Sequence, residues 1–149
     1  MKTVIITPEL IDMDIQATDK LTIIDQLTEL ARQNGRLNSA TGYRQAVIDR
    51  ENEASTSLGY SLAVPHGKTD AVKLPFVCFA KSNKGVLWNR QVVHLIFMIG
   101  VPEKEKGDHY LRILANIARK VINPEFRQKL MQSTNKQEVI GIIASSENE

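Results

Sequence analysis

Cysteine is nearly absent from this sequence, because Cys78 is the only one in 149 residues. A single cysteine can form neither an internal disulfide nor a multi-cysteine metal site, and it fits a reducing compartment. No apolar run is long enough for a secretory signal or a membrane-spanning helix. These absences predict a cytoplasmic protein that does not insert into a membrane.

An excess of charge is also lacking, since 19 basic and 17 acidic residues are spread along the chain. Without a basic cluster, the charge pattern gives no reason to expect a nucleic acid partner. The glycine-rich loop of nucleotide-binding proteins and the Gly-x-Ser-x-Gly turn of serine hydrolases are missing too. Cys78 lies in an apolar strand pattern, where a thiol is usually inert packing. Direct use of ATP and a serine or cysteine nucleophile are therefore not expected.

The apolar residues that are present, 42% of the chain, follow regular patterns. Helical spacing predicts helices at 19–34, 41–51 and 108–121, with shorter ones after Pro124 and Thr134. Between them lie three apolar, strand-like segments, at 62–64, 76–80 and 92–101. Because these segments are apolar at nearly every position, we expect strands that are covered on both faces. The sequence predicts one α/β domain, residues 1–149, with a mixed β-sheet covered by helices on both faces.

His66 is the main candidate for chemistry. It follows Pro65 and precedes Gly67, directly after the strand-like segment 62–64. Proline keeps the preceding residue extended, and glycine lets backbone amides approach an anion. We therefore expect the imidazole at a strand end, where α/β sheets usually bind ligands and where a neutral ring nitrogen can attack phosphorus. A histidine with no function, on the surface or in an ordinary turn, is the alternative.

Two further residues could assist at a phosphate group. His109 follows the predicted N-cap Asp108, in a first helical turn whose free N–H groups favour anions. Arg50 offers a planar fork for phosphate oxygens. For both residues, a solvated surface position is the alternative. His94 lies within the segment 92–101 and is expected to be structural, and the three histidines lack the paired spacing of a metal site.

Together, the segments 49–51, 55–67 and 108–109 resemble the enzyme IIA domain of the fructose and mannitol class of the bacterial phosphoenolpyruvate-dependent sugar phosphotransferase system. The stretch from Thr56 to Gly67 is similar to the phosphorylation-site signature of that family. The resemblance implies that His66 accepts a phosphoryl group on Nε2 from the phosphocarrier HPr and donates it to an enzyme IIB domain.

The same resemblance implies roles for the neighbouring residues. Arg50 and His109 would assist at the phosphate, and Thr56 and the backbone around Gly67 would line the site. Neither a metal nor another cofactor is expected.

The physiological role stays open at the level of the sequence. A transport subunit would pass its phosphoryl group to the IIB domain of a membrane sugar permease. A regulator of the nitrogen-related type would instead bind other proteins according to its phosphorylation state. A third hypothesis, a structural or metal-binding module, predicts no phosphorylation.

Overall fold

The structure is a computed structural model that describes residues 5–104 and 109–147. The chain divides into two compact units, Met1–Glu105 and Lys106–Glu149. Among the described residues, the first unit contains a mixed sheet of six strands and two α-helices, and the second contains three α-helices. The predicted α/β class with a mixed sheet is confirmed.

The first helix, α1, spans Lys20–Gln33, where the apolar spacing predicts it. The Asp19 carboxylate caps it by accepting a hydrogen bond from the Thr22 N–H at 3.0 Å, and this bond holds the pKa of Asp19 below its usual value. Gly35 ends the helix with a φ of 72°, and the Arg36 N–H bonds back to the carbonyl of Ala31 at 3.1 Å. Local signals at both ends thus fix the bounds of α1.

The sheet is built around a long antiparallel hairpin. Its strands are β1 (Ile11–Asp12), β2 (Ser57–Gly59), β3 (Leu62–Ala63), β4 (His66–Lys68), β5 (Phe76–Trp88) and β6 (Gln91–Val101). Their spatial order is β1-β5-β6-β3-β2, and β4 also pairs with β6. The β5–β6 pair is antiparallel, whereas β3 and β4 run parallel to β6. The edge of β6 that does not face β5 therefore pairs with two short strands, β3 just before His66 and β4, which begins at His66.

Strand β5 is longer than predicted, because it continues beyond Ala80 to Trp88. The polar stretch from Lys81 to Gly85 resembles a loop, but a register shift between Lys81 and Val86 lets the chain stay paired with β6. Gly85 has a φ of 91°, and its N–H donates to the Ser82 hydroxyl at 2.9 Å. An irregularity of this kind keeps a strand in the sheet despite unfavourable residues.

Both faces of the hairpin are buried. Cys78 belongs to the core cluster that also contains Leu27 of α1, and Phe79, on the opposite face of the strand, is fully buried as well. The Cys78 thiol lies 3.6 Å from the carbonyl oxygen of Leu27, and burial raises the pKa of that thiol well above its usual value. The predicted packing role of Cys78 is confirmed.

The second helix, α2, spans Ala40–Glu53 and packs against β4. The Ser39 hydroxyl caps it by accepting from the Gly42 N–H at 3.0 Å. Its buried face presents Tyr43, Val47 and Glu51, which are spaced four residues apart and therefore lie on one side of the helix. A carboxylate in that row is unusual, because Glu is rarely buried unless it is paired.

The second unit consists of α3 (His109–Lys120), α4 (Pro124–Gln132) and α5 (Lys136–Glu147). Pro124 lies in the first turn of α4, as predicted, and the Asn123 side chain accepts a hydrogen bond from the Glu125 N–H at 2.9 Å. In the described parts of the chain, every helix is too short or too polar to cross a membrane.

Candidate functional site

His66 is the first residue of β4 and is held in the sheet. Strands β3 and β4 pair with β6 in the same register, so that Leu62 lies opposite Leu95 and His66 lies opposite Ile99. Pro65 lies between the two strands and accepts a hydrogen bond from the Ile99 N–H at 3.0 Å. The structure therefore places His66 after the end of β3, as predicted, but in a paired strand and not in a turn.

The imidazole ring of His66 has a defined orientation. Its Nδ1 atom lies 2.9 Å from the carbonyl oxygen of Val64. Because a carbonyl oxygen can only accept a hydrogen bond, Nδ1 must carry the proton, and the lone pair of the neutral ring lies on Nε2. The ring is half-buried. The geometry thus leaves Nε2 as the unprotonated nitrogen of the neutral ring.

Gly67 is buried beneath α2. A Cβ atom at this position would lie 3.4 Å from side-chain atoms of Tyr43, Ala46 and Val47, a tight contact on all three. The Tyr43 hydroxyl also donates to the carbonyl of Ile99 at 2.7 Å, next to His66 in the sheet. The absence of a side chain at Gly67 therefore lets α2 pack closely behind the histidine. The role of its backbone in lining a phosphate stays a prediction.

Arg50 lies in the last turn of α2, the helix that contacts β4. Its guanidinium donates from Nη1 to the carbonyl oxygen of Ala54 at 2.8 Å, just beyond the end of the helix. One of the five N–H donors of the guanidinium is thus bonded to the backbone, which leaves four others. The predicted contact between Arg50 and phosphate stays a prediction.

Thr56 is buried, and its polar groups turn towards the protein. The hydroxyl donates to the carboxylate of Glu51, the Thr56 N–H lies 3.3 Å from the same carboxylate, and the Thr56 carbonyl accepts from the Val64 N–H at 3.0 Å. The structure therefore assigns the Thr56 hydroxyl a protein partner. Its predicted role as a phosphate-lining residue stays a prediction.

A comparison with known protein families gives a match over nearly the whole chain. The family model described as the phosphoenolpyruvate-dependent sugar phosphotransferase system, EIIA 2, matches residues 4–146. The chain belongs to this EIIA family. The proteins of the family are phosphotransferase components, so the predicted family and the predicted transferase class are confirmed.

Several relatives of this EIIA protein are named for fructose. The fructose-specific EIIA component of Haloferax volcanii is 36% identical over 143 residues, which cover 93% of this chain and 92% of that protein. The fructose-like EIIA component of Escherichia coli is 33% identical and covers 89% and 90%. The fructose-specific EIIABC component of Bacillus subtilis is 31% identical over 95% of this chain, which spans only 22% of that longer protein.

Solved structures show the same fold. The crystal structure of the nitrogen regulatory protein IIA-Ntr from Neisseria meningitidis has a TM-score of 0.83 and 26% identity, and the match covers 92% of this chain and 94% of that chain. The IIA mannitol structure from Escherichia coli has a TM-score of 0.77 at 24% identity, over 93% and 98% of the two chains, and supports the fold alone.

The other two histidines of this EIIA protein differ in what the structure describes. Helix α3 begins at His109, as predicted, but the His109 side chain and residue Asp108 lie outside the described part of the chain. The backbone N–H of His94 donates to the Ser61 carbonyl at 2.8 Å within the sheet, and the structural role of its side chain stays a prediction. Among the described residues, no group of three His, Cys, Asp or Glu side chains could hold a metal ion.

The sequence predicts no role for Glu51, the residue of α2 that bonds to Thr56. Its side chain is 2% exposed and lies in the row of buried positions that includes Tyr43 and Val47. The spacing of four residues from Val47 could have indicated its burial, because that row marks the inner face of α2. A buried carboxylate is rare unless it is paired. We therefore expect partners within the protein to hold the Glu51 side chain.

Proposed function

We propose that this protein is a phosphocarrier that accepts a phosphoryl group from phospho-HPr on Nε2 of His66 and donates it to a cognate enzyme IIB during sugar uptake. The observation that carries the proposal is the 2.9 Å hydrogen bond between Nδ1 of His66 and the Val64 carbonyl. It leaves the lone pair on Nε2, and membership of the EIIA family supports the chemistry.

The transfer needs no proton to leave the imidazole. The Nε2 lone pair forms a bond to phosphorus while the bond from phosphorus to the donor's leaving atom breaks. The proton stays on Nδ1, so the phosphorylated ring becomes positively charged, and the carbonyl dipole of Val64 stabilises that charge. When an acceptor sulfur on the IIB domain attacks the phosphorus, the imidazole leaves as the same neutral tautomer.

The other predicted residues would stabilise the phosphoryl oxygens. Phosphoryl transfer depends mainly on alignment and on compensation of spread negative charge. Arg50 and His109 would supply hydrogen-bond donors, with the first turn of α3 adding backbone N–H groups. Thr56 and the backbone of Gly67 would line the site. In this scheme the protein acts without a metal or a cofactor.

The proposed setting follows from the family. We infer that residues 1–149 act as one cytoplasmic IIA domain. A structure of enzyme IIAMTL from Escherichia coli in complex with phosphorylated enzyme IIBMTL has a TM-score of 0.80 to this chain at 24% identity. That likeness motivates a IIB domain of a sugar permease as the acceptor, because the same fold receives a IIB partner there.

A regulatory role is the second candidate. The nitrogen regulatory protein of Bradyrhizobium diazoefficiens is 28% identical over 145 residues, covering 95% of this chain and 94% of that protein. A regulator of this kind would bind partner proteins according to the phosphorylation state of His66. The higher identity to the fructose-specific component of Haloferax volcanii, 36%, favours the transport role.

The deciding experiment is to mix the protein with phosphoenolpyruvate, enzyme I and HPr and to follow its intact mass. We expect one phosphoryl group that is labile in acid and stable in base, as a phosphohistidine is. Addition of a IIB domain should then remove it rapidly. Retention of the phosphate together with phosphorylation-dependent protein binding would favour the regulator, and no phosphate from a competent HPr would contradict both roles.

For His109, we expect the His109→Ala variant to fold normally and to transfer phosphate about 10²-fold more slowly in both directions, because one donor to the phosphoryl oxygens is lost. Rapid-quench measurements with phospho-HPr and with IIB would give the two rates, and thermal unfolding would report the fold. His94→Ala is the matched control and should keep native rates. Native rates for His109→Ala in both directions would remove this residue from the mechanism.

A further inference from the structure

A buried network of hydrogen bonds is centred on Glu51. Its Oε2 atom lies 3.3 Å from the Trp88 Nε1–H, 3.3 Å from the Thr56 N–H and 3.7 Å from Nζ of Lys20. The Thr56 hydroxyl donates to the other carboxylate oxygen. Burial of a carboxylate costs several kcal/mol unless charged and polar partners compensate it, and these four donors do so.

This network extends to the phosphate-accepting ring through one backbone hydrogen bond and one bond from the His66 side chain to the backbone. The Thr56 carbonyl accepts from the Val64 N–H at 3.0 Å, and the Val64 carbonyl accepts from Nδ1 of His66 at 2.9 Å. Pro65 connects Val64 to His66 and limits the freedom of this link, because the φ of Pro65 is fixed and Val64, the residue before it, is kept extended. A displacement of Thr56 therefore moves the carbonyl that selects the His66 tautomer.

Two other parts of the fold, α1 and the β5–β6 hairpin, fix the position of Glu51 itself. Lys20 is the first residue of α1, and its ammonium also donates to the Asn89 side chain at 2.7 Å, in the turn between β5 and β6. Trp88 ends β5 and is fully buried. Helix α1 and the hairpin thus hold the Glu51 carboxylate in place. The carboxylate in turn holds Thr56 through the two hydrogen bonds that it accepts from that residue.

We propose that Glu51 is a positioning residue for His66. By holding Thr56 it fixes the Val64 carbonyl, which keeps the proton on Nδ1 and leaves Nε2 ready to accept a phosphoryl group. Groups that orient a metal-bound histidine through its second nitrogen act in the same way. The inference rests on the proposed phosphocarrier function, but the tautomer it predicts exists without any phosphoryl donor.

The test is the ¹⁵N spectrum of the imidazole nitrogens in the unphosphorylated protein, recorded where His66 is neutral and assigned with a His66→Gln variant. The native ring should show a protonated Nδ1 and an unprotonated Nε2. Thr56→Val and Glu51→Gln should both populate the opposite tautomer and slow phosphate acceptance by about 10- to 100-fold, the range for loss of an orienting partner. Thr56→Ser, which keeps the hydroxyl, should retain the native tautomer.

A matched control separates positioning from general destabilisation. Ile23→Val removes one methylene from the fully buried face of α1, outside the network, and should lower stability without changing the tautomer or the rate. Native tautomer and native rate in folded Thr56→Val and Glu51→Gln would overturn the proposal, whatever their stability. If Glu51→Gln does not fold, the contrast between Thr56→Val and Thr56→Ser decides.

The two hypotheses fail in different ways. A native protein that shows the Nδ1–H tautomer but accepts no phosphate from a competent HPr would contradict the phosphocarrier function and leave the positioning of the ring intact. A native protein that accepts phosphate on His66 while Thr56→Val keeps the tautomer and the rate would contradict only the role of Glu51.

Discussion

A His66→Gln variant should accept no measurable phosphate from phospho-HPr, with a fall in rate on the order of 10⁴ or more, because the nucleophile is lost. The glutamine amide is similar in length to histidine, and β4 is held by its pairing with β6, so the β4 backbone should stay in place. It has no basic nitrogen lone pair to attack phosphorus. Radioactive phosphoenolpyruvate in the reconstituted chain would measure the loss.

The matched control is His94→Gln, the same substitution at a histidine of β6 that is assigned a structural role. It should accept phosphate at the native rate, and thermal unfolding of both variants would show that the fold persists. Phosphate on the His66→Gln variant would contradict the central assignment. Loss of acceptance in His94→Gln alone would move the reactive site to the other strand.

The elements that the sequence predicts well are those with local signals. Helix α1 begins and ends within one residue of the prediction because Asp19 and Gly35 cap it through contacts only a few residues away. Strand β6 matches closely, since every residue of the predicted segment 92–101 is apolar except His94 and Gly100. Such signals depend on the neighbouring sequence and need no knowledge of the tertiary fold.

The elements that the sequence does not predict depend on distant partners. Strand β4 contains only His66, Gly67 and Lys68, residues with little preference for strands, and it exists because β6 offers unpaired backbone groups in the register that continues β3. The extension of β5 beyond Ala80 likewise requires β6 as a pairing partner. Tertiary pairing outweighs local propensity in both cases.

The candidate site shows the same division. The resemblance of the motif around His66 to the phosphorylation-site signature of the family is enough to propose this ring as the reactive one. The choice of Nε2 by geometry requires the position of the Val64 carbonyl, which only the folded chain provides. Glu51 requires more still, because its four donors come from Lys20, Thr56 and Trp88, which are far apart in the sequence.

These long-range contacts matter for a phosphocarrier because one ring has to serve as nucleophile and then as leaving group. A ring that changed its tautomer between the two steps would present a protonated Nε2 to the next donor. In the proposed mechanism, the hydrogen bond from Nδ1 to the Val64 carbonyl prevents this by holding the proton on Nδ1. Orientation that is built into the fold lowers the entropic cost of each transfer.

The packing behind the site also predicts a large effect on stability at Gly100 of β6. A Cβ atom at Gly100 would lie 2.2 Å from the ring of Phe76, its partner across the β5–β6 pair. That ring contacts Tyr43 edge-on, with centroids 5.3 Å apart, and Tyr43 bonds to the residue beside Gly100. The ring therefore cannot shift without disturbing α2. We expect Gly100→Ala to destabilise the protein by about 3 kcal/mol, the upper end for overpacking.

In a protein of this size, such a loss of about 3 kcal/mol lowers the Tm by roughly 6–12 °C, which calorimetry would detect. Gly141→Ala is the same chemical change within helix α5, where a Cβ would meet nothing within 4 Å. It should raise stability by roughly 0.5–1 kcal/mol, because alanine favours helix over glycine. A lower Tm for Gly100→Ala together with a higher Tm for Gly141→Ala would locate the destabilisation in the Phe76 contact. An unchanged Tm for Gly100→Ala would show that the ring and α2 can move to admit a methyl group.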